Sequence, residues 1–169
     1  MPKVSFWIED KGTLNFIDTA LQLGKNMKDP LERAGLFLLR STDKRFRDEV
    51  SFTGKSWEPL SEITEKRRRK GKKGNKYGNS ILRDTGRLFQ SVTPAKNDNH
   101  VYRLDNSKVE IGTNVIYANV HQFGNPKLNI PARPFLGISE DDEKKINGVF
   151  VSWANERLDD STHKVRFLK

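Results

Sequence analysis

Ile81-Leu82-Arg83-Asp84-Thr85-Gly86-Arg87-Leu88 opens, and Ile130-Pro131-Ala132-Arg133-Pro134-Phe135-Leu136-Gly137-Ile138 closes, the stretch on which the reading of this chain turns. Between them stands Ile111-Gly112-Thr113-Asn114-Val115-Ile116-Tyr117-Ala118-Asn119-Val120-His121-Gln122-Phe123-Gly124. Gly, Pro, Arg and aromatic residues punctuate it, and no pair of acids or metal ligands falls with them. Asp84-Thr85-Gly86 can cap a short helix through about Gln90, with Leu88 and Phe89 facing inward. Ser91 to Lys96 and His100 to Leu104 are strand candidates. Asp105-Asn106-Ser107 is turn chemistry, from which Lys108 to Gly112 pairs back. Val115 to Gln122 reads as a short helix stopped by Phe123-Gly124-Asn125-Pro126. Ile130 to Phe135 is extended, because Pro131 and Pro134 each push the preceding residue out of the α region.

Working outward, Val4 to Ile8 is a short β-prone run and Leu14 to about Met27 has helical spacing, with Leu14, Ile17, Leu21 and Gly24 on one face. Asp29-Pro30-Leu31-Glu32 starts a second helix. Asp29 can cap free amides, Pro30 already has the φ of a first helical residue, and Glu32 suits the first turn. That helix runs to about Val50 with Leu31, Ala34, Leu38, Thr42, Phe46 and Val50 in one stripe. Leu36, Phe37 and Leu39 spill onto other faces, so it is either sandwiched in the core or has one face in a subunit contact. Ser139 followed by Glu140, Asp141 and Asp142 starts the final helix, whose apolar stripe is Ile146, Val149, Phe150, Trp153 and Leu158. His163 to Lys169 reads as a tail or an edge strand. The expectation is one α+β domain over residues 1–169. It has a small antiparallel sheet packed against two or three longer helices, a long basic loop at 51–80 and a C-terminal tail at 160–169.

The charge is concentrated. From Ser61 to Arg83 there are nine Lys or Arg against two acids, which accounts for most of the net +9 of the 169-residue chain. The glycines at 54, 71, 74 and 78 and Pro59 break periodicity there, although Ser61 to Glu65 can start a short helix. Such a segment self-repels. It is a solvated loop, or else Arg67, Arg68, Arg69, Lys70, Lys72, Lys73 and Lys76 touch nucleic acid or an acidic partner. Tyr77 is the only aromatic near it, so base stacking is not supported. The apolar share of 34% is low for a compact domain, which suggests that part of the chain is mobile or is buried only in an assembly. Zero cysteines exclude disulfides and thiolate metal sites. The first ten residues hold too short an apolar run for a signal peptide, and no run approaches the roughly 20 apolar residues of a membrane span.

No catalytic pattern emerges. His100, His121 and His163 lack ligand spacing. Residues 71–78 are rich in Gly and Lys but lack the order of a phosphate-binding loop. Glu140 to Glu143 are consecutive, so they fan around a helix and suit its positive end better than a metal. His121 with Gln122 fits a capped turn or an interface hydrogen bond better than an activated water. Arg133, held between two prolines, is a buried ion-pair anchor or an interface anchor. Phe135 either plugs the core beside the last helix or meets a partner. The expectation is no enzyme, no cofactor and no metal.

Several pieces taken in order resemble the virion-morphogenesis, or tail-completion, family of Mu-like and P2-like tailed phages and prophages. They are Arg45-Phe46, Trp57-Glu58-Pro59-Leu60-Ser61 with Thr64, a basic Gly-containing stretch, Ile81 to Leu88 with Ser91-Val92, Ile111-Gly112-Thr113-Asn114, Tyr117-Ala118, His121-Gln122-Phe123-Gly124 and Ile130 to Gly137. Ser51 to Ser56 departs from the acidic Asp-Gly type loop that the resemblance leads one to expect. The resemblance implies a structural protein of the virion tail or neck, made in the host cytoplasm, that finishes the tail so it can join the filled head. It implies a homo-oligomeric ring, with other tail or connector proteins as partners and no membrane. A ring needs heterologous contacts; Trp57, His121, Phe123, Arg133 and Phe135 are the interface candidates. The alternative is a nucleic-acid-binding module that contacts DNA phosphates non-specifically through residues 66–76.

Overall fold

In a computed structural model, residues 24–70 and 77–166 are described, the last nine of them by backbone alone. The expected Val4 to Ile8 strand and most of the Leu14 to Met27 helix lie outside those residues, as do Lys72, Lys73 and Lys76. Gly24 and Lys25 are helical.

Helix α1 spans Lys28–Asp48. It begins two residues ahead of Pro30, which costs nothing because the first amides of a helix have no internal partner. Asp29 is therefore not its cap. It lies in the first turn and pairs with Arg33 at 3.1 Å. Pro30, Ala34, Gly35, Leu39, Thr42, Arg45 and Phe46 are buried. The helix touches the sheet on one side and the final helix on another, so it is sandwiched in the core. Gly35 permits the close approach of the sheet: a Cβ there would stand 2.8 Å from the Tyr102 hydroxyl. The helix ends at Glu49, whose φ is 55°. Its backbone oxygen accepts from Trp57 N at 2.9 Å and its carboxylate from Ile81 N at 2.7 Å. These bonds hold a side-chain-bearing residue in the left-handed region.

The expected loop at 51–80 contains a helix, α2, Glu62–Arg69. The Ser61 hydroxyl accepts from Thr64 N, and Glu62 and Glu65 pair with Lys66 and Arg69 one turn later. Helix α3, Arg87–Ser91, follows the left-handed Gly86. Ser91 to Lys96 is not a strand. Ser91 ends α3 with its hydroxyl on the Leu88 carbonyl, and Val92 to Lys96 form turns. Pro94 has no amide for a ladder, and Val92 and Thr93 are plugged into the core with no exposure. Strands β1 (His100–Leu104) and β2 (Val109–Thr113) pair antiparallel, with Tyr102 opposite Ile111. The Asp105 carboxylate accepts from the amides of Ser107 and Lys108, both at 2.8 Å, and closes the turn.

Helix α4, Ala118–Phe123, starts three residues later than the periodicity predicts, and Gly124 follows it. Helix α5 spans Glu140–Arg166, so most of the tail expected at 160–169 continues this helix. Ser139 and Asp142 cap its start reciprocally: each side chain accepts the other's amide, at 3.0 and 3.1 Å. The two-stranded sheet against helices makes this a small α+β fold. Its core centres on Phe46, whose ring centroid lies 5.3 Å from Trp57, 5.5 Å from Phe89 and 5.8 Å from Phe135. Helix α1, the loop after it and the stretch 81–138 therefore meet at one aromatic cluster. Among the described residues, no helix is long and apolar enough to cross a membrane.

Candidate interaction site

The strut at 130–136 is held from three directions. Gln122, on α4, is a clip: its amide nitrogen donates to the Leu136 carbonyl at 2.8 Å, and its oxygen accepts from Phe135 N and Leu136 N at 3.0 and 3.1 Å. Trp57 donates its indole N–H to the Pro134 carbonyl at 3.0 Å. Arg133 reaches back to the carbonyls of Glu58 and Pro59 at 2.7 and 2.8 Å, and its own amide donates to the His121 carbonyl. Gly124 is needed where strut and α4 cross. Its φ is +79°, and a Cβ would lie 2.8 Å from Ala132 N.

This placement sorts the residues named from the sequence. Trp57, Arg133 and Phe135 are buried within the subunit, at 5%, 6% and 1% exposure. Arg133 is a buried anchor, but to carbonyl groups rather than to an acid. Phe123 points outward, 78% exposed. Ile116 and Leu128 are also exposed.

The strut forms one wall of an open groove of about 1100 Å³. Helix α2 and residues 58–61 form another wall; Leu82, residues 84–88, Tyr117, His121, Leu128 and Asn129 form the rest. Four arginines line it (Arg67, Arg68, Arg87 and Arg133) against two acids, Glu58 and Asp84. Arg68 is turned inward, donating to the Ser80 carbonyl at 2.6 Å with Asp84 at 3.7 Å. Arg67, Arg69 and Lys70 are exposed. His121 lies half-buried under Tyr117, ring centroids 5.8 Å apart, and its Nδ1 is buried without a hydrogen-bond partner. Burial, then the charges of Arg133 and Arg68, hold the His121 imidazole below its ordinary pKa. The guanidinium groups make the groove receptive to anions, and Tyr117, Leu128 and Ile130 add apolar surface.

A second polar centre lies between helices. Asp142 forms a buried ion pair with Arg45 and accepts from the Ser41 hydroxyl at 2.6 Å. Arg45 also donates to the Gly137 carbonyl at 2.6 Å. Burial pushes the Asp142 carboxyl up, but its bonds to Ser41 and Ser139 and the Arg45 charge outweigh that and hold it below the usual range. The sequence shows Asp142 as one of four equivalent acids. What singles it out is the capping-box spacing with Ser139. Gln122 carried no signal beyond its place beside His121. Among the described residues, no group of three or more His, Asp or Glu is placed to hold a metal ion.

The groove and strut lie inside the region that matches a family model. The model of the phage virion morphogenesis family aligns with residues 8–154. The chain is 34% identical over 83 residues to an uncharacterized protein of Methanocaldococcus jannaschii, covering 47% of this chain and 53% of that protein. It is 40% identical over 70 residues to the Mu-like prophage FluMu G protein 2 of Haemophilus influenzae, covering 38% of this chain and 45% of that protein. The chain thus spans about half the length of the curated relatives it matches. No solved structure matches. With most of its length aligned to that model, the chain belongs to the phage virion morphogenesis family.

Proposed function

We propose that the protein is a non-enzymatic assembly component that completes the phage tail for joining to the head. It acts in the virion tail or neck as a homo-oligomeric ring that also binds tail or connector proteins. The observation that carries this reading is the family match over residues 8–154. The prophage relative agrees with it. The structure adds a surface suited to contacts. Phe123, Ile116 and Leu128 are exposed apolar residues, and Leu128 lines the groove on a frame fixed by Gln122 and Arg133. Exposed apolar residues beside a groove suit a contact site. The test is complementation in vitro. Purified protein added to an extract of heads and tails made without it restores infective particles. No gain in infectivity from such an extract overturns the reading.

A second reading, phosphate contact with DNA in the neck, is favoured by the exposed Arg67 and Arg69 on α2 and Lys70 just after it. The measurement is binding of duplex DNA at low salt, with a steep salt dependence. Replacing these three by Gln removes the binding while leaving the inward Arg68 intact. No binding by the parent protein excludes it.

A further inference from the structure

The groove is charged beyond what its own subunit neutralises. Arg133 is buried and its guanidinium bonds to the neutral carbonyls of Glu58 and Pro59; the Glu58 carboxylate acts on its charge from a distance, but no carboxylate among the described residues is in ion-pair contact with it. Arg87 bonds to the Asn99 amide oxygen, also neutral. Arg67 stands exposed over the opening. With four arginines against the two acids Glu58 and Asp84, the groove keeps an excess of positive charge, and Coulomb attraction to an incoming anion grows as water is displaced.

The same chain carries a matching surface. Glu140, Asp141 and Glu143 in the first turn of α5 are exposed, while Asp142 between them is used internally. Ile138, two residues ahead, is 56% exposed. An acidic turn with an apolar flank thus complements a basic groove with the apolar surface of Tyr117 and Leu128. None of these acids lines the groove. Resting on the ring reading above, we propose that the groove of one copy receives the acidic first turn of α5 from the next copy, Ile138 seating against Tyr117 and Leu128. Two different patches meet, so the contact is heterologous, the type that closes rings. Charge sets its register and specificity, and the apolar contact adds affinity.

The experiment is sedimentation of the full chain with charge reversal on each side: Arg67→Glu with Arg87→Glu, and Glu140→Lys with Asp141→Lys and Glu143→Lys. Each set alone weakens self-association at least about tenfold, and both sets in one chain restore it to within about threefold. Where a reversal set fails to fold, Gln replaces Glu or Lys on both sides and the losses must be non-additive. Wild-type association unmoved by either set, or no restoration in the combined chain, overturns this contact and leaves the assembly reading standing. A wild-type chain that stays monomeric overturns the contact and the ring together. The extract complementation above tests the assembly step separately.

Discussion

Replacing Asp142 with Ala removes the acid that ties α5 to α1. The Arg45 guanidinium keeps its bond to the Gly137 carbonyl but loses its counter-charge in a buried site. Ser41 loses its acceptor, and the start of α5 loses half of its reciprocal cap. Breaking a buried pair by removing one partner costs about 3–5 kcal/mol, and losing a cap costs about 1 kcal/mol more. We take the low end of the sum, about 4 kcal/mol. With a urea dependence of about 2 kcal/mol per molar, the unfolding midpoint falls by about 2 M. Circular dichroism in a urea series reads this directly. A paired change, Arg45→Met with Asp142→Leu, leaves no uncompensated charge and recovers more than half of the loss. A midpoint for Asp142→Ala within about 0.5 M of the parent, no more than a single cap is worth on this slope, would refute the assignment of this pair as the bolt between the two helices.

Three further outcomes follow from the same geometry. Gln122→Ala removes three hydrogen bonds at the strut and lowers stability by about 2–3 kcal/mol; thermal melting checks it, and a loss under about 0.5 kcal/mol contradicts the clip. Gly124→Ala forces a Cβ against Ala132 N at positive φ and costs about 1–3 kcal/mol, again by melting, whereas no loss means that the backbone there can relax. His121 has a folded pKa below its ordinary 6.5, so the unfolded chain takes up the proton first. Its contribution is complete above pH 6.5 and is lost as pH falls towards the folded value. His121→Gln flattens that part of the stability profile, leaving a second decline at lower pH as Asp142 protonates.

Much of the frame was legible because local chemistry and tertiary packing agree. The Asp105 turn fixed the hairpin, Ser139 announced α5, and Pro131 and Pro134 made the strut extended. The misreading of Ser91 to Lys96 has a clear cause. A short β-branched run looks alike whether it pairs in a ladder or plugs a core, and only the position of Pro94 argued against the ladder. The start of the helix at 62–69 was legible from Ser61 to Glu65, but its continuation through Arg69 was obscured by the run of like charge. The groove was not legible, because it joins residues 58, 67, 87, 121 and 133 that only the tertiary fold brings together. Burial of Arg133 against carbonyls likewise depends on where residues 58 and 59 arrive.

Microscopy of particles made without this protein tests the assembly role most directly. Negative-stained lysates of a phage or induced prophage lacking the gene should contain filled heads and tails that remain apart, and supplying the gene in trans should restore joined particles. Joined, infective particles in its absence would contradict the account.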